Sequence, residues 1–137
     1  MDPFIKEIQH INNVEDAINK LKTQTKKKKK LSEIINFVIE AHEGQYRKSG
    51  EPYCVHPILV ASITAHFSKD EAIIATALLH DVVEDTKYPL DYIKERWGSD
   101  IAHMVDGLTK IVEIRENEFI TSSDASDSKI ISSALTF

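Results

Sequence analysis

The stretch ATALLHDVVEDT, residues 75–86, joins an apolar run to four ionisable side chains. The four are His80, Asp81, Glu84 and Asp85. Read as a helix with about 100° per residue, the stretch places all four on one arc of about 140°. Its first turns are almost entirely apolar, which is typical of a buried helix, and charged groups on such a helix must be paired, protonated or bound to a metal. The stretch therefore predicts a functional site.

The composition describes a single helical domain. The 137 residues are 42% hydrophobic, enough for a core, and four Gly and four Pro leave few tight turns for a sheet. Cys54 is the single cysteine, so an intramolecular disulfide is excluded. Because the sequence shows neither a signal peptide nor a membrane-length apolar run, we expect an all-α, soluble, cytoplasmic protein.

The net charge of −5 is unevenly distributed. Residues 1–30 carry eight lysines and four acidic residues, whereas residues 31–137 carry nine basic and eighteen acidic residues. An acidic domain is a poor general binder of nucleic acid, so we expect no DNA partner and no membrane partner. The basic run Lys26–Lys30 is interpreted as a solvated helix start or a connection, with a phosphate or nucleic-acid patch as the alternative.

Apolar periodicity and capping residues predict the helices. In chain order, we expect helices over residues 1–12, 14–21, 31–44 and 57–67, a central helix after a Ser68-x-x-Glu71 capping box, and helices over 89–97 and from Ser99 onwards. Residues 46–57 contain Gly50, Pro52 and Pro57 and are expected to form a loop.

The end of the chain changes character. Residues 116–128 are polar and aperiodic, which predicts a long mobile loop, and residues 129–137 resemble the opening turns of a helix. Because this last segment lacks a C-terminal cap, we expect the chain to be cut short.

Two imidazoles and a carboxylate form the candidate metal site. His56, His80 and Asp81 suit Mn²⁺, Fe²⁺ or Zn²⁺ better than Ca²⁺, with Mn²⁺ favoured where oxygen ligands and water complete an octahedron. Glu84 and Asp85 follow one turn later, where they could hydrogen-bond a water held by the metal and act as a general base. The alternative is a structural His-Asp pair beside a solvated helix end, although acids there oppose the helix dipole.

Three further residues precede His56 in the sequence and are candidates for roles near this site. Arg47 and Lys48 precede His56 in the predicted loop and could clamp an anionic substrate, although taken alone they are ordinary surface residues. His42 ends an apolar stripe and is interpreted as a core or supporting histidine rather than a ligand.

Four motifs in this order resemble the hydrolase domain of RelA/SpoT homologues, the enzymes that make and degrade the alarmone (p)ppGpp. They are HEGQYRKSGEPY at 42–53, HP at 56–57, LHDVVEDT at 79–86 and VDGLTK at 105–110. The resemblance covers residues 31–137, which would be the N-terminal part of an HD hydrolase domain, with residues 1–30 as an N-terminal helical segment.

The resemblance implies an all-α HD-domain helical bundle and a Mn²⁺-dependent guanosine-3′,5′-bis(diphosphate) 3′-pyrophosphohydrolase, which releases pyrophosphate and GDP or GTP. Carried over residue by residue, it assigns eight positions. They are His56, His80 and Asp81 as metal ligands, Glu84 and Asp85 as the catalytic acidic pair, and Arg47, Lys48 and Ser49 as nucleotide contacts.

The sequence also departs from the family. Members carry a further metal-ligand aspartate and more nucleotide contacts downstream of Lys110, and we assign neither Asp124 nor Asp127 to that ligand. We therefore expect a C-terminally truncated domain whose exposed apolar surface promotes self-association.

Two alternatives stay open, namely an HD phosphohydrolase acting on another nucleotide and a non-catalytic fragment with an incomplete metal site. Whether a longer parent is bifunctional, with (p)ppGpp synthetase activity, is also open.

Overall fold

The computed structural model describes residues 2–26 and 28–121, which form eight helices and no strand beyond an isolated bridge between Tyr46 and Pro52. The helices are α1 (Pro3–Gln9), α2 (Val14–Gln24), α3 (Lys29–Ala41), α4 (Val55–Phe67), α5 (Glu71–Leu79), α6 (Val82–Asp85), α7 (Leu90–Trp97) and α8 (Ser99–Thr121). The all-α prediction is confirmed.

Helices α4 and α5 form the centre of the bundle. Both are apolar on nearly every face, so they are stable only where other helices cover them on several sides. They pack against each other, α2 lies against α4, and α3 and α8 lie against α5. Fully buried Ile58 of α4 and Leu78 of α5 belong to this core. The arrangement fixes the C-terminal end of α5 inside the protein.

The N-terminal helices begin where their capping residues predict. The side chain of Asp2 accepts a hydrogen bond from the backbone N–H of Phe4 at 2.8 Å, and that of Asn13 accepts one from Asp16 at 2.8 Å. Each bond satisfies a helix N–H that has no partner within the helix. Helix α2 runs on to Gln24, three residues beyond its predicted end.

The predicted capping box before α5 is wrong. Helix α5 begins at Glu71, and its cap is Asp70, whose Oδ1 accepts from the N–H groups of Ala72 at 2.9 Å and Ile73 at 3.4 Å. The Ser68 hydroxyl instead accepts from the N–H of Asp70 at 3.2 Å. A carboxylate at this position also suits the positive end of the helix dipole, which a serine hydroxyl cannot match.

The central helix is broken where the sequence predicted continuity. Helix α5 ends at Leu79 and α6 begins at Val82, so His80 and Asp81 lie in the turn between them. The break leaves the carbonyl of Ala77, in the last turn of α5, available to a side chain. Consequently both candidate ligands lie in a turn between two helices and not on a single helical arc.

Other boundaries also differ from prediction, and α1 and α3 each end three residues before their predicted ends. Helix α4 begins at Val55, so His56 belongs to its first turn instead of preceding it. Helix α8 continues to Thr121, so the predicted loop is wrong for residues 116–121, where glutamates with good helix propensity extend a helix already formed. The rest of that predicted loop, and the helical turns predicted over 129–137, lie outside the described residues.

Among the helices that the structure describes, none is both long and apolar enough to cross a lipid bilayer.

Candidate metal centre

Three side chains converge where the start of α4 meets the turn after α5. His56 projects from the first turn of α4, and the α5–α6 turn supplies His80 and Asp81. Nε2 of His56 lies 3.4 Å from Oδ2 of Asp81, and Nε2 of His80 lies 3.1 Å from the same oxygen. The potential ligand atoms of the three residues all lie within 4.8 Å of one another. The spacing allows one metal ion to contact all three.

The tautomer of His80 is fixed by the last turn of the preceding helix, α5. Nδ1 of His80 lies 2.5 Å from the carbonyl oxygen of Ala77, and a carbonyl can only accept, so Nδ1 carries a proton. In the neutral ring, Nε2 then presents a lone pair to the carboxylate of Asp81. Two lone pairs this close repel unless a proton or a metal cation lies between them. A histidine that donates its second nitrogen to a carbonyl is also the usual arrangement of a metal ligand.

The charges of the cluster agree with this geometry. Burial by itself would raise the pKa of Asp81, but hydrogen bonds from His56 and His80 outweigh it and hold that pKa well below its ordinary value. Burial by itself would lower the pKa of His80, but its contacts with Asp81 outweigh burial and leave the pKa raised. Asp81 is therefore an anion that attracts a cation to Nε2 of His80.

His56 differs from His80 in the direction of its pKa shift. Its ring is buried, and burial lowers its pKa, although the neighbouring Asp81 works in the opposite direction. A lower pKa means less competition from protons for the nitrogen that would bind a metal.

Asp85, one of the predicted catalytic acids, is linked to the cluster through Tyr53. Its Oδ2 lies 3.3 Å from the hydroxyl of Tyr53, which also donates to Oδ2 of Asp81 at 2.9 Å. Glu84 and Asp85 are both exposed on the short helix α6, and an exposed carboxylate can exchange protons with solvent.

The predicted nucleotide loop is a tight turn beside the cluster. The N–H of Arg47 donates to the carbonyl of Glu51, and Gly50, whose φ of +101° favours glycine, donates to the carbonyl of Arg47. The positive charge of Arg47 lies close enough to lower the pKa of His56. The hydroxyl of Ser49 donates to the Glu51 carboxylate at 2.7 Å, and Lys48 is exposed. The turn thus brings Arg47 to the site.

A separate cavity of about 480 Å³ lies among α3, α5, α7 and α8. Its walls include Lys30, Glu71, Trp97 and Ser99. None of the predicted site residues lines it, so it is not the space in which the cluster would bind a ligand.

Comparison with known proteins identifies the fold family. The family model described as HD domain matches residues 35–134, which is most of the chain. The chain belongs to the HD domain family. This agrees with the His80-Asp81 pair at its centre and with the all-helical bundle around it.

Individual relatives place this HD domain among the RelA/SpoT homologues. It is 49% identical over 76 residues to a guanosine-3′,5′-bis(diphosphate) 3′-pyrophosphohydrolase of Haemophilus influenzae, a match that covers 56% of the chain and 11% of that protein. It is 53% identical over 75 residues to a GTP pyrophosphokinase of Myxococcus xanthus, covering 55% and 10%. A further pyrophosphohydrolase, from Borreliella burgdorferi, is 36% identical over 118 residues, covering 79% and 18%. The HD domain therefore matches less than a fifth of each relative's length.

Three residues of the HD domain contribute to the site without having been predicted to do so. Tyr53 bridges two carboxylates, Gln45 donates from Nε2 to the carbonyl of Asp85 at 2.6 Å, and Glu51 accepts from Ser49 in the predicted nucleotide loop. All three lie within the 42–53 motif, so their proximity to His56 in sequence was the available signal. Their hydrogen-bond partners lie up to 40 residues away, which the motif does not reveal.

His42 has the supporting position that the sequence indicated. It is buried, its Nδ1 lies 2.9 Å from Oε1 of Gln45, and its ring contacts that of Tyr53 at 4.8 Å between centroids. Among the described residues it is not a member of the group that could share a metal ion.

Proposed function

We propose that this HD domain is part of a metal-dependent guanosine-3′,5′-bis(diphosphate) 3′-pyrophosphohydrolase that degrades (p)ppGpp in the cytoplasm during the stringent response. Relatives that carry this name, and the four motifs in their order, support the substrate. The HD domain also matches proteins named GTP pyrophosphokinase, so it is compatible with a parent of either activity.

The observation that carries the proposal is the meeting of His80 Nε2 and Asp81 Oδ2 at 3.1 Å, with the other nitrogen of His80 already donating to Ala77. A proton on Nε2 or a metal cation would relieve the contact between these two atoms, and His56 adds a third ligand atom that a metal ion could share. The donor set therefore fits a divalent transition metal. We propose Mn²⁺, because two imidazoles and one carboxylate leave positions that water and phosphate oxygens fill in an octahedral ion.

A divalent ion held by these residues would lower the pKa of a bound water and polarise a phosphoryl oxygen. The role of Glu84 and Asp85 is to accept the proton of the water that attacks the 3′-linked phosphorus. Their exposure lets them pass that proton to solvent, and the contact between Asp85 and Tyr53 keeps one carboxylate beside the cluster.

The loop before α4 would bind the anionic substrate. Arg47 lies close to His56, and its guanidinium can grip two phosphate oxygens at once. Lys48 is exposed and adds a second positive charge next to it. In an acidic domain, these two residues supply the attraction that a substrate with several phosphates requires.

The test is to incubate the 137-residue chain with ppGpp and Mn²⁺ and to measure released pyrophosphate. The full-length Haemophilus influenzae relative serves as the positive control, and excess chelator serves as the negative control. Release that depends on Mn²⁺ and disappears in Asp81→Ala supports the proposal. Absence of turnover by the chain in an assay where the relative is active would refute the activity for this chain.

A further inference from the structure

Tyr53 lies between the side-chain carboxylates of Asp81 and Asp85. Its hydroxyl is 2.9 Å from Oδ2 of Asp81 and 3.3 Å from Oδ2 of Asp85. A phenol has one hydrogen to donate, so the two carboxylates share it. The shared hydroxyl hydrogen therefore links Asp81, a candidate metal ligand, to Asp85, a candidate catalytic residue.

The position of Tyr53 is itself fixed from several sides. Its N–H donates to the carbonyl of Gln45 at 2.8 Å, and its carbonyl accepts from the N–H of His56 at 3.0 Å. Its ring lies against those of His42 and His56, with centroids 4.8 Å and 5.8 Å away. The hydroxyl is therefore positioned by contacts of Tyr53 other than those with the two carboxylates.

The two carboxylates need such a donor because their own helix is short. Helix α6 has four residues, too few to be stable alone, with Asp81 just before it and Asp85 at its end. The terminal torsion of an aspartate is broad, so a neighbouring donor decides where each oxygen points. Gln45 donates a hydrogen bond to the backbone carbonyl of Asp85 at 2.6 Å. Tyr53 donates in the same way to the side-chain carboxylates of Asp81 and Asp85.

We propose that Tyr53 is a positioning residue whose hydroxyl aligns Asp81 for metal binding and Asp85 for handling the attacking water. The inference rests on the proposed metal centre. It assigns the function to the hydroxyl group, since a phenylalanine ring would fill the same space between His42 and His56.

The first experiment compares Tyr53→Phe with Tyr92→Phe in the 137-residue chain. Tyr92 is the matched control, because its hydroxyl accepts a hydrogen bond from Arg96 in an aromatic cluster on α7. Mn²⁺ affinity is measured from the electron paramagnetic resonance signal of the free ion, and thermal unfolding checks the fold. We expect about tenfold weaker binding in Tyr53→Phe, as for other residues that orient a metal ligand, and wild-type binding in Tyr92→Phe.

The second experiment takes its readout from the wild-type sequence and uses variants only to assign resonances. The four tyrosines of the wild-type chain are replaced by 3-fluorotyrosine, and their ¹⁹F resonances are assigned with single Tyr→Phe variants, or by elimination. On addition of diamagnetic Zn²⁺, the resonance of Tyr53 should shift further than those of the other three. A tyrosine whose hydroxyl has no contact with the metal ligands would not respond in this way.

The outcomes separate the inference from the proposed function. If the wild-type chain binds Mn²⁺ and Tyr53→Phe binds it equally well, the positioning role is overturned, whatever the resonance does. If Tyr53→Phe does not fold, the resonance decides: a shift supports the role and its absence overturns it. A wild-type chain without affinity for Mn²⁺ overturns both the metal centre and the role of Tyr53.

Discussion

Nδ1 of His80 lies 2.5 Å from the carbonyl oxygen of Ala77, three residues earlier in the last turn of α5. The contact explains two features together. It satisfies a carbonyl at the end of α5, where helix carbonyls lack backbone partners, and it directs Nε2 of His80 toward Asp81. The same contact thus lies at the end of α5 and orients a candidate metal ligand.

Replacing Asp81 should abolish metal binding. Asp81→Ala removes the carboxylate that both imidazoles face, and we expect no measurable Mn²⁺ binding by calorimetry. Asp91→Ala, which removes an exposed carboxylate of α7, should bind as the wild type does. Wild-type Mn²⁺ occupancy in Asp81→Ala would show that the ligand assignment is wrong.

The cap of α5 can be tested directly. Asp70→Ala leaves two helix N–H groups without their acceptor, so we expect the free energy of unfolding to fall by about 1 kcal/mol. Ser68→Ala should cost less than about 0.5 kcal/mol, because Ser68 lies outside the helix and accepts a single bond. Urea unfolding of both variants measures the difference, and the reverse order would favour the capping box read from the sequence.

The centre of the bundle should be sensitive to lost volume. Ile58 of α4 is fully buried, and Ile58→Ala should lower the free energy of unfolding by about 2–5 kcal/mol because it leaves a cavity. Ile73 of α5 is 38% exposed, so Ile73→Ala should cost less than about 1 kcal/mol. Equal losses in urea unfolding would contradict the packing described for α4 and α5.

Cys54 should be inert in the folded protein. Its side chain is buried just before α4, and burial raises the pKa of the thiol, which reduces the fraction of reactive thiolate. We expect no reaction with a thiol-specific reagent under native conditions and complete reaction in denaturant. Because Cys54 is the single cysteine, the absorbance change reports on it alone. Rapid native modification would mean that the start of α4 opens readily.

Much of the site could be read from residue types and their order. His56, His80 and Asp81 were predicted as ligands, and the structure brings their ligand atoms within 4.8 Å. Whether they bind a metal, and whether Glu84 and Asp85 are catalytic, remain predictions. The helical bundle followed from apolar periodicity, since a stripe repeating every three or four residues can be buried only as a helix.

Boundaries were less predictable, for physical reasons that differ from site to site. The capping box failed because Ser68 and Asp70 both suit a helix start, and only the packing of α5 determines which one meets its first N–H groups. The predicted continuity through His80 was wrong because no local rule indicates that a ring nitrogen will bond a carbonyl of the preceding helix. The predicted loop failed over 116–121 because a helix already formed adds further residues at little cost.

The sequence by itself determined the all-α class, the HD domain family and the residue types of the centre, because these depend on periodicity and on motifs local in the chain. Tertiary structure alone decided the partnership of Tyr53 with Asp81 and Asp85, which lie 28 and 32 residues away. It also decided the directions of the imidazoles. Such contacts depend on how α4 and α5 pack together, because packing sets distances of a few ångströms between groups that the sequence keeps far apart.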